Sequence, residues 1–232
     1  MPRAWLLSQS VRGLIDQSIQ MLEFRREEEL RIRAVADPEA GIWEATIVAN
    51  DRPGLFSRVA GVVALHELSV LGAEIYTRDD GVALEIFQLE PKVGDLPGQG
   101  KGEGEADVES IAEDARMALR GRLSLDARHA DLRRGQPEGV FHEKRPDPEI
   151  VVHDDASDFF TVVEVRAADR VGLLYTITRA LVEMELDIAL AKVSTYGEDV
   201  VDVFYVRDFH GQKVTDPVYA EEIARSIRFR LT

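Results

Sequence analysis

The 232-residue chain contains no cysteine. That excludes disulfides, thiolate metal sites and a cysteine nucleophile, and it fits a reducing compartment. Positive charge is scarce: 28 Lys and Arg stand against 43 Asp and Glu, a formal net charge of −15. Such a surface repels phosphate backbones and anionic lipid headgroups, which argues against nucleic-acid and membrane-surface roles. No run of about 18 apolar residues occurs, so no membrane-spanning helix is expected. Arg3 and the short cluster Trp5-Leu6-Leu7 are followed at once by Gln9, Ser10 and Arg12, too polar a start for a secretory signal. The chain reads as soluble and cytoplasmic. Its remaining composition, 45% hydrophobic and 31% charged, is that of ordinary globular proteins and supports a packed core.

What the chain does contain is the same passage twice. Asn50-Asp51-Arg52-Pro53-Gly54-Leu55 returns as Ala168-Asp169-Arg170-Val171-Gly172-Leu173, an offset of 118 residues from Asp51 to Asp169. A repeat of this kind makes each copy one structural unit. Four segments follow: a helical lead-in at 1–29, a first unit at 30–123, a charged, proline-bearing linker at 124–148, and a second unit at 149–232.

The patterning inside the two units agrees. Residues 4–29 form a helix with Leu7, Val11, Leu14, Ile15, Ser18 and Leu22 near one face. Leu30–Val35 and Trp43–Ala49 read as strands, and the helix after the first turn places Leu55, Val59, Val62 and Val63 on one stripe. Ser69–Thr77 and Val82–Leu89 form a hairpin through Arg78-Asp79-Asp80-Gly81, where glycine supplies positive φ. A helix from about Val108 then carries Ile111, Ala112, Ala115 and Leu119. In the second unit the strands are Glu149–His153, Phe159–Ala167, Asp187–Tyr196 and Val200–Arg207. Its first helix repeats the stripe as Leu173, Ile177, Ala180 and Leu181. Asp216-Pro217 opens a last helix with Tyr219, Ile223 and Ile227 inward. Each unit is strand, strand, helix, strand, strand, helix, which makes the chain an α+β protein of two ferredoxin-like βαββαβ-type units in tandem. The closing strand of each is moved to the front or donated by a neighbour. The glycine-rich stretch 91–106 reads as a flexible insertion in the first unit.

The strand-to-helix turn is the best candidate site. Gly54 and Gly172 let backbone approach a ligand, and the following helix offers N–H groups and a dipole suited to a carboxylate. Asp51 and Asp169 stand where an ammonium could be met, so the turn suits an α-amino acid. On turn chemistry alone a second reading is the commoner one: Asp as a plain helix N-cap and Pro-Gly as a tight connection.

The segments Asn50–Phe56 and Asp169–Leu174 resemble the Asp-Arg-Pro-Gly-Leu opening of ACT domains, which are small-ligand-sensing modules. The strand Val200-Val201-Asp202-Val203-Phe204-Tyr205-Val206 is similar to the second ACT repeat of the bifunctional PII uridylyltransferase/uridylyl-removing enzymes. That family ends in two such repeats and senses glutamine there. The resemblance covers roughly residues 30–90 and 149–232 well. It implies that ligand sits between the turn of one copy and the start of the next strand of the other. The implied ligand residues are Asn50, Asp51, Arg52, Pro53, Gly54 and Leu55 with Asp187 and Ile188, and Asp169, Arg170, Gly172 and Leu173 with Ser69 and Val70. Val171 replaces the motif proline, and Ser69 and Asp187 stand where Asn is frequent, so the better pocket is expected at Asn50–Leu55.

The catalytic parts of that family are not seen. Nucleotidyl transfer needs a Gly-Ser turn with closely spaced metal-binding Asp residues, and no Gly-Ser dipeptide occurs. His153-Asp154 is a dyad by sequence, but it falls at a strand end beside Asp155 and Asp158, where a solvated His is expected. His129, His142 and His210 lack a suitable setting, and His66 reads as a helix-end packing residue. Glu103, Glu105, Asp107 and Glu109 read as a solvated loop, and Phe159-Phe160 and Phe204-Tyr205 as core or interface aromatics. No catalytic residue, metal or cofactor is therefore expected. The expected partners are a small-molecule effector, glutamine foremost, and a catalytic domain in cis or in trans. PII protein and a second copy of the chain are further expected partners. An assembly module that binds nothing is the competing reading.

Overall fold

A computed structural model describes residues 5–6, 9–37, 40–90, 103–135, 147–196 and 199–232. The strands are β1 (Leu30–Asp37), β2 (Ile42–Asn50), β3 (Ser69–Thr77), β4 (Val82–Glu90), β5 (Glu149–His153), β6 (Thr161–Ala168), β7 (Leu186–Tyr196) and β8 (Asp199–Asp208). The helices are α1 (Val11–Glu23), α2 (Leu55–Leu65), α3 (Glu103–Leu119), α4 (Leu125–Gly135), α5 (Leu173–Glu183) and α6 (Pro217–Leu231). All eight strands join one antiparallel sheet in the order β1-β2-β4-β3-β7-β8-β6-β5. Each half is a ferredoxin-like unit whose edge strand comes first in the chain: β1 pairs with β2, and β5 with β6.

The two halves meet at β3 and β7, paired at Gly72↔Ser194, Ala73↔Val193 and Glu74↔Lys192. Glu74 and Lys192 are separated by the repeat offset of 118, so each copy lays the equivalent strand against the other about a local twofold. The symmetry reaches fine backbone detail. A bulge interrupts β3 between Val70 and Gly72, and another interrupts β7 between Ile188 and Leu190. Glu67 and Glu185, the residues just past the C-caps of α2 and α5, both adopt positive φ, at 57° and 54°.

Strand alternation divides the side chains between two layers. Ile47, Ala73, Phe87, Val193 and Phe204 face the helices and form the main core with Val62, Ile177, Leu181, Ile223 and Ile227. Val48, Tyr76, Val82, Leu84 and Ile86 face the other way and pack under Trp5, Leu14 and Met21.

Four details differ from the sequence reading. The helix α1 ends at Glu23 rather than 29, and most of its expected apolar face points outward: Val11, Ile15 and Leu22 are 75%, 58% and 84% exposed, while Leu14 packs inward and Gln17, Gln20 and Met21 are buried. Leu7 lies outside the described residues. The Gln17 amide is buried without penalty because its oxygen accepts from Trp5 Nε1 at 2.5 Å and its nitrogen donates to Gln9 Oε1 at 3.0 Å. Phe159 is 68% exposed and precedes β6, whereas Phe160 packs edge-on to Tyr205. The helix expected from Val108 begins at Glu103, so the acidic run there lies on a helix. Glu and Ala favour that state strongly enough to carry Gly104. Residues 91–102 of the glycine-rich stretch are outside the described residues. Finally, the linker contains α4, whose Leu125 enters the core beside Leu123.

Candidate functional site

The turns that open α2 and α5 are built alike. Gly54 and Gly172 sit at φ 75° and 80°, in the left-handed region, as the N-cap residues of the two helices. No side chain caps either helix. Asp51 and Asp169 are therefore not the N-caps, and the capping reading of these acids is set aside. Each turn is closed by its own backbone, Leu55 N–H to Arg52 O and Leu173 N–H to Arg170 O, both 3.0 Å.

The local twofold brings the second turn against the first copy. A cleft is closed by Ala60 and Ala64 of α2, Ser69 and Val70 at the start of β3, and the stretch Asp169 to Tyr175. Six of the sequence-derived residues thus share one cleft: Ser69, Val70, Asp169, Arg170, Gly172 and Leu173. Its volume is about 20 Å³, room for roughly one water molecule.

The first turn is closed differently. The Arg58 guanidinium donates to Pro53 O at 3.0 Å and lies 2.9 Å from where a Cβ on Gly54 would sit, with Val182 at 3.5 Å. The equivalent of Arg58 in the second copy is the short Thr176, whose hydroxyl donates to Gly172 O. Asp187 is near enough to Asp51 for that charge to add to burial in raising its pKa. Asn50 turns away, its amide donating to Arg26 O at 2.9 Å, and Leu55 is in the core. Of this stretch Asp51 lies near Asp187, and Ile188 packs against the main core, but the cleft described above opens at the other turn.

Two residues that the sequence reading passed over lie beneath these turns. Asp202 on β8 is 1% exposed, lines the cleft, and sits between Val165 of β6 and Val193 of β7. Its Oδ1 has no hydrogen-bond partner, while the Ser194 backbone N–H bonds the carboxyl and tempers its pKa. Burial, aided by the Asp169 charge, pushes that pKa up to about 8. Glu85 on β4, the aligned residue of the first copy, sits between Ile47 and Ile75 and is also 1% exposed. Neither of its oxygens has a partner, and burial, then the Asp51 charge, holds its pKa well above the carboxylate range. The signal was present in strand parity: Asp202 shares its side of β8 with Phe204 and Val206, the core-facing side.

The helix α4 supports the cleft from outside. His129 donates to Gly61 O at 2.9 Å and stacks on Tyr175 with ring centres 4.6 Å apart. The Tyr175 hydroxyl donates to Asp126 at 2.7 Å. His66 caps α2 and bonds Asp114 at 3.0 Å, and His153 ends β5 before a bend, half-buried rather than solvated as expected. Among the described residues, no group of three His, Asp or Glu is placed to hold a metal, and no helix is long and apolar enough to cross a membrane.

Two ferredoxin-like halves joined edge to edge, each opening its first helix on a left-handed glycine, define a tandem of ACT-type units. Residues 156–231, within the second unit, match the family described as the ACR family N-terminal ACT domain. The whole chain is similar to the C-terminal region of bifunctional uridylyltransferase/uridylyl-removing enzymes. It is 35% identical over 233 residues to the enzyme of Rhodospirillum rubrum, covering 100% of this chain and 24% of that protein. It is 38% identical over 198 residues to that of Azospirillum brasilense, covering 82% of this chain and 20% of the relative. The enzyme of Gluconobacter oxydans is 35% identical over 216 residues, 90% of this chain and 21% of the relative. The chain spans about a quarter or less of the length of these relatives.

Proposed function

We propose that the chain is an amino-acid-sensing regulatory module of cytoplasmic nitrogen control, with glutamine as its effector. On this reading it acts on a uridylyltransferase/uridylyl-removing catalytic domain in cis or in trans, with PII protein as the downstream partner. The observation that carries the reading is the composite cleft: one copy supplies the turn Asp169 to Leu173 and the other supplies Ser69 and Val70. A ligand larger than one water enters only if the turn and α2 part. Its binding energy is then coupled to how the two copies pack, which is the physical content of allosteric control. Helix N–H groups at the start of α5 suit the carboxylate of such a ligand.

Calorimetry and thermal unfolding with each of the twenty amino acids test this. Glutamine is expected to bind and raise Tm by mass action, about 2.7 kcal/mol of added stability at a hundredfold excess over Kd. Absence of heat with all twenty would remove the sensing reading. Gly172→Ala is the matching variant: its Cβ has room, with nothing nearer than 3.8 Å, so the φ of 80° alone disturbs the turn. Loss of the ligand response with a preserved fold supports sensing. An unchanged response together with altered assembly would favour a scaffold.

A further inference from the structure

The cleft has a floor as well as walls, and the floor is a carboxyl. Asp202 reaches it from the strand Val200–Val206, through a layer that is mostly apolar. A buried polar atom without a partner costs free energy, and natural proteins keep few of them. Here Oδ1 of Asp202 is such an atom, in a residue 1% exposed that lines a cleft. Glu85 occupies the aligned place in the first copy with both oxygens unpartnered, so the feature is repeated with the fold.

The elements around Asp202 decide what this carboxyl can meet. From the turn come Asp169 and Arg170; Arg170 Nη2 donates to Leu231 O, at the end of α6. From α5 comes Tyr175, whose hydroxyl is held by Asp126. From α4 comes His129, about 3.9 Å from the Cβ position of Gly172 and bonded to Gly61 O. The neighbours on β6 and β7 that face the same layer are Val165 and Val193, and α2 contributes Ala60 and Ala64. The Ser194 N–H is bonded to the carboxyl, Oδ1 is left without a hydrogen-bond partner, and Asp169 adds negative charge. A carboxyl in such surroundings holds its proton when the cleft is empty and gives it up when a cation arrives to pair with it.

We propose that Asp202 reads the ammonium group of the effector, so that the cleft selects zwitterionic α-amino acids and binds them with release of a proton. This rests on the effector-site reading above. The balance is simple: the neutral carboxyl of Asp202 loses its proton to solvent, and the resulting carboxylate pairs with the ligand's ammonium. The ligand's carboxylate faces the N–H groups that open α5, one end of the molecule for each pole of the site. Selectivity follows from the missing partner. A ligand lacking the ammonium leaves the buried Oδ1 unpaired and gains nothing from displacing the proton.

The test is calorimetry on the full chain at pH 7 with L-glutamine, or whichever of the twenty amino acids binds most tightly, in buffers of differing ionisation enthalpy. Close to one proton is expected to be released per ligand, because the free carboxyl titrates at about 8. Glutaramate, which is glutamine without its ammonium, is expected to bind at least about tenfold more weakly, on the scale of leaving a charged partner unmet. Asp202→Asn is expected to weaken the amino acid by about tenfold or more and to abolish proton release, with the far-ultraviolet circular dichroism unchanged. Glu85→Gln, at the other turn, is expected to leave both quantities as they are. If no amino acid binds the unaltered chain, the effector-site reading itself fails. If binding occurs without proton release, or Asp202→Asn binds equally well, the role of Asp202 alone is overturned.

Discussion

Burying a carboxyl among valines costs far more when it is charged than when it keeps its proton. For Asp202 the unfolded pKa is near 4 and the folded one is about 8. Between those values the native state holds a proton that the unfolded chain has released, so fewer protons are bound unfolded than folded. Stability therefore falls as pH rises through this window, and levels off above the folded pKa. Glu85 acts in the same direction. The expected outcome is a Tm that declines from pH 5 to pH 9, and a shallower decline in Asp202→Asn. Equal slopes for the two proteins would show that the carboxyl is charged throughout. At this scale the sequence was legible in part. The glycines and the paired Asp-Arg turns could be read from the repeat, and the Ser69 and Asp187 positions followed from the family resemblance. Strand parity placed Asp202 and Glu85 among core residues, but that neither would find a full set of hydrogen-bond partners there depends on the packing around them.

The secondary elements were mostly readable because their periodicities are clean, and the exceptions have one cause. Charge and proline made residues 124–148 look like a linker, yet Leu125, His129 and Leu132 recur at helical spacing, and α4 docks through Leu125 and His129. What holds α4 is tertiary: Gly61 of α2 leaves a gap that Leu125 and Tyr175 fill. A Cβ at Gly61 would come within 2.8 Å of the Tyr175 ring and 2.9 Å of Leu125 Cδ1. Tyr175 cannot easily yield, being bonded to Asp126 and stacked on His129. Gly61→Val is therefore expected to lower stability by about 1–3 kcal/mol through overpacking, read from urea unfolding midpoints. A neutral result would mean that α4 is only loosely laid against α2. The outward apolar face of α1 has the same origin: the face that docks carries Leu14, Gln17 and Met21 onto the sheet, with Gln17 bonded to Trp5.

For the molecule as a whole, the central fact is the seam between copies. Glu74 lies opposite Lys192, its own equivalent in the repeat, so an identical repeat would set like charges face to face there. The divergence to Glu and Lys supplies opposite signs at the twofold position. Lys192→Glu is expected to weaken the β3–β7 pairing by about 0.2–1 kcal/mol, the usual scale of a cross-strand pair. Denaturation in low salt, set against Lys192→Gln, separates repulsion from simple loss of the lysine. If both variants unfold alike, the seam is held by backbone pairing and core packing alone. The seam also governs function on the proposed reading, because it sets Ser69 and Val70 against the turn of the opposite copy.

The sequence by itself determined the two units, their α+β character, the glycine turns that open the first helices and the resemblance carried by the Val200–Val206 strand. These are local properties: spacing, turn chemistry and a repeat that survives without knowledge of packing. Only the tertiary structure decided that the sheets fuse through β3 and β7 and that the cleft opens at Asp169 to Leu173. Arg58 closes over Gly54, whereas the short Thr176 leaves the second turn clear. The sequence favoured the first turn for its proline, but whether a cleft exists depends on what side chain from the next helical turn lies across it. That is a matter of reach and contact, which no reading of spacing alone contains.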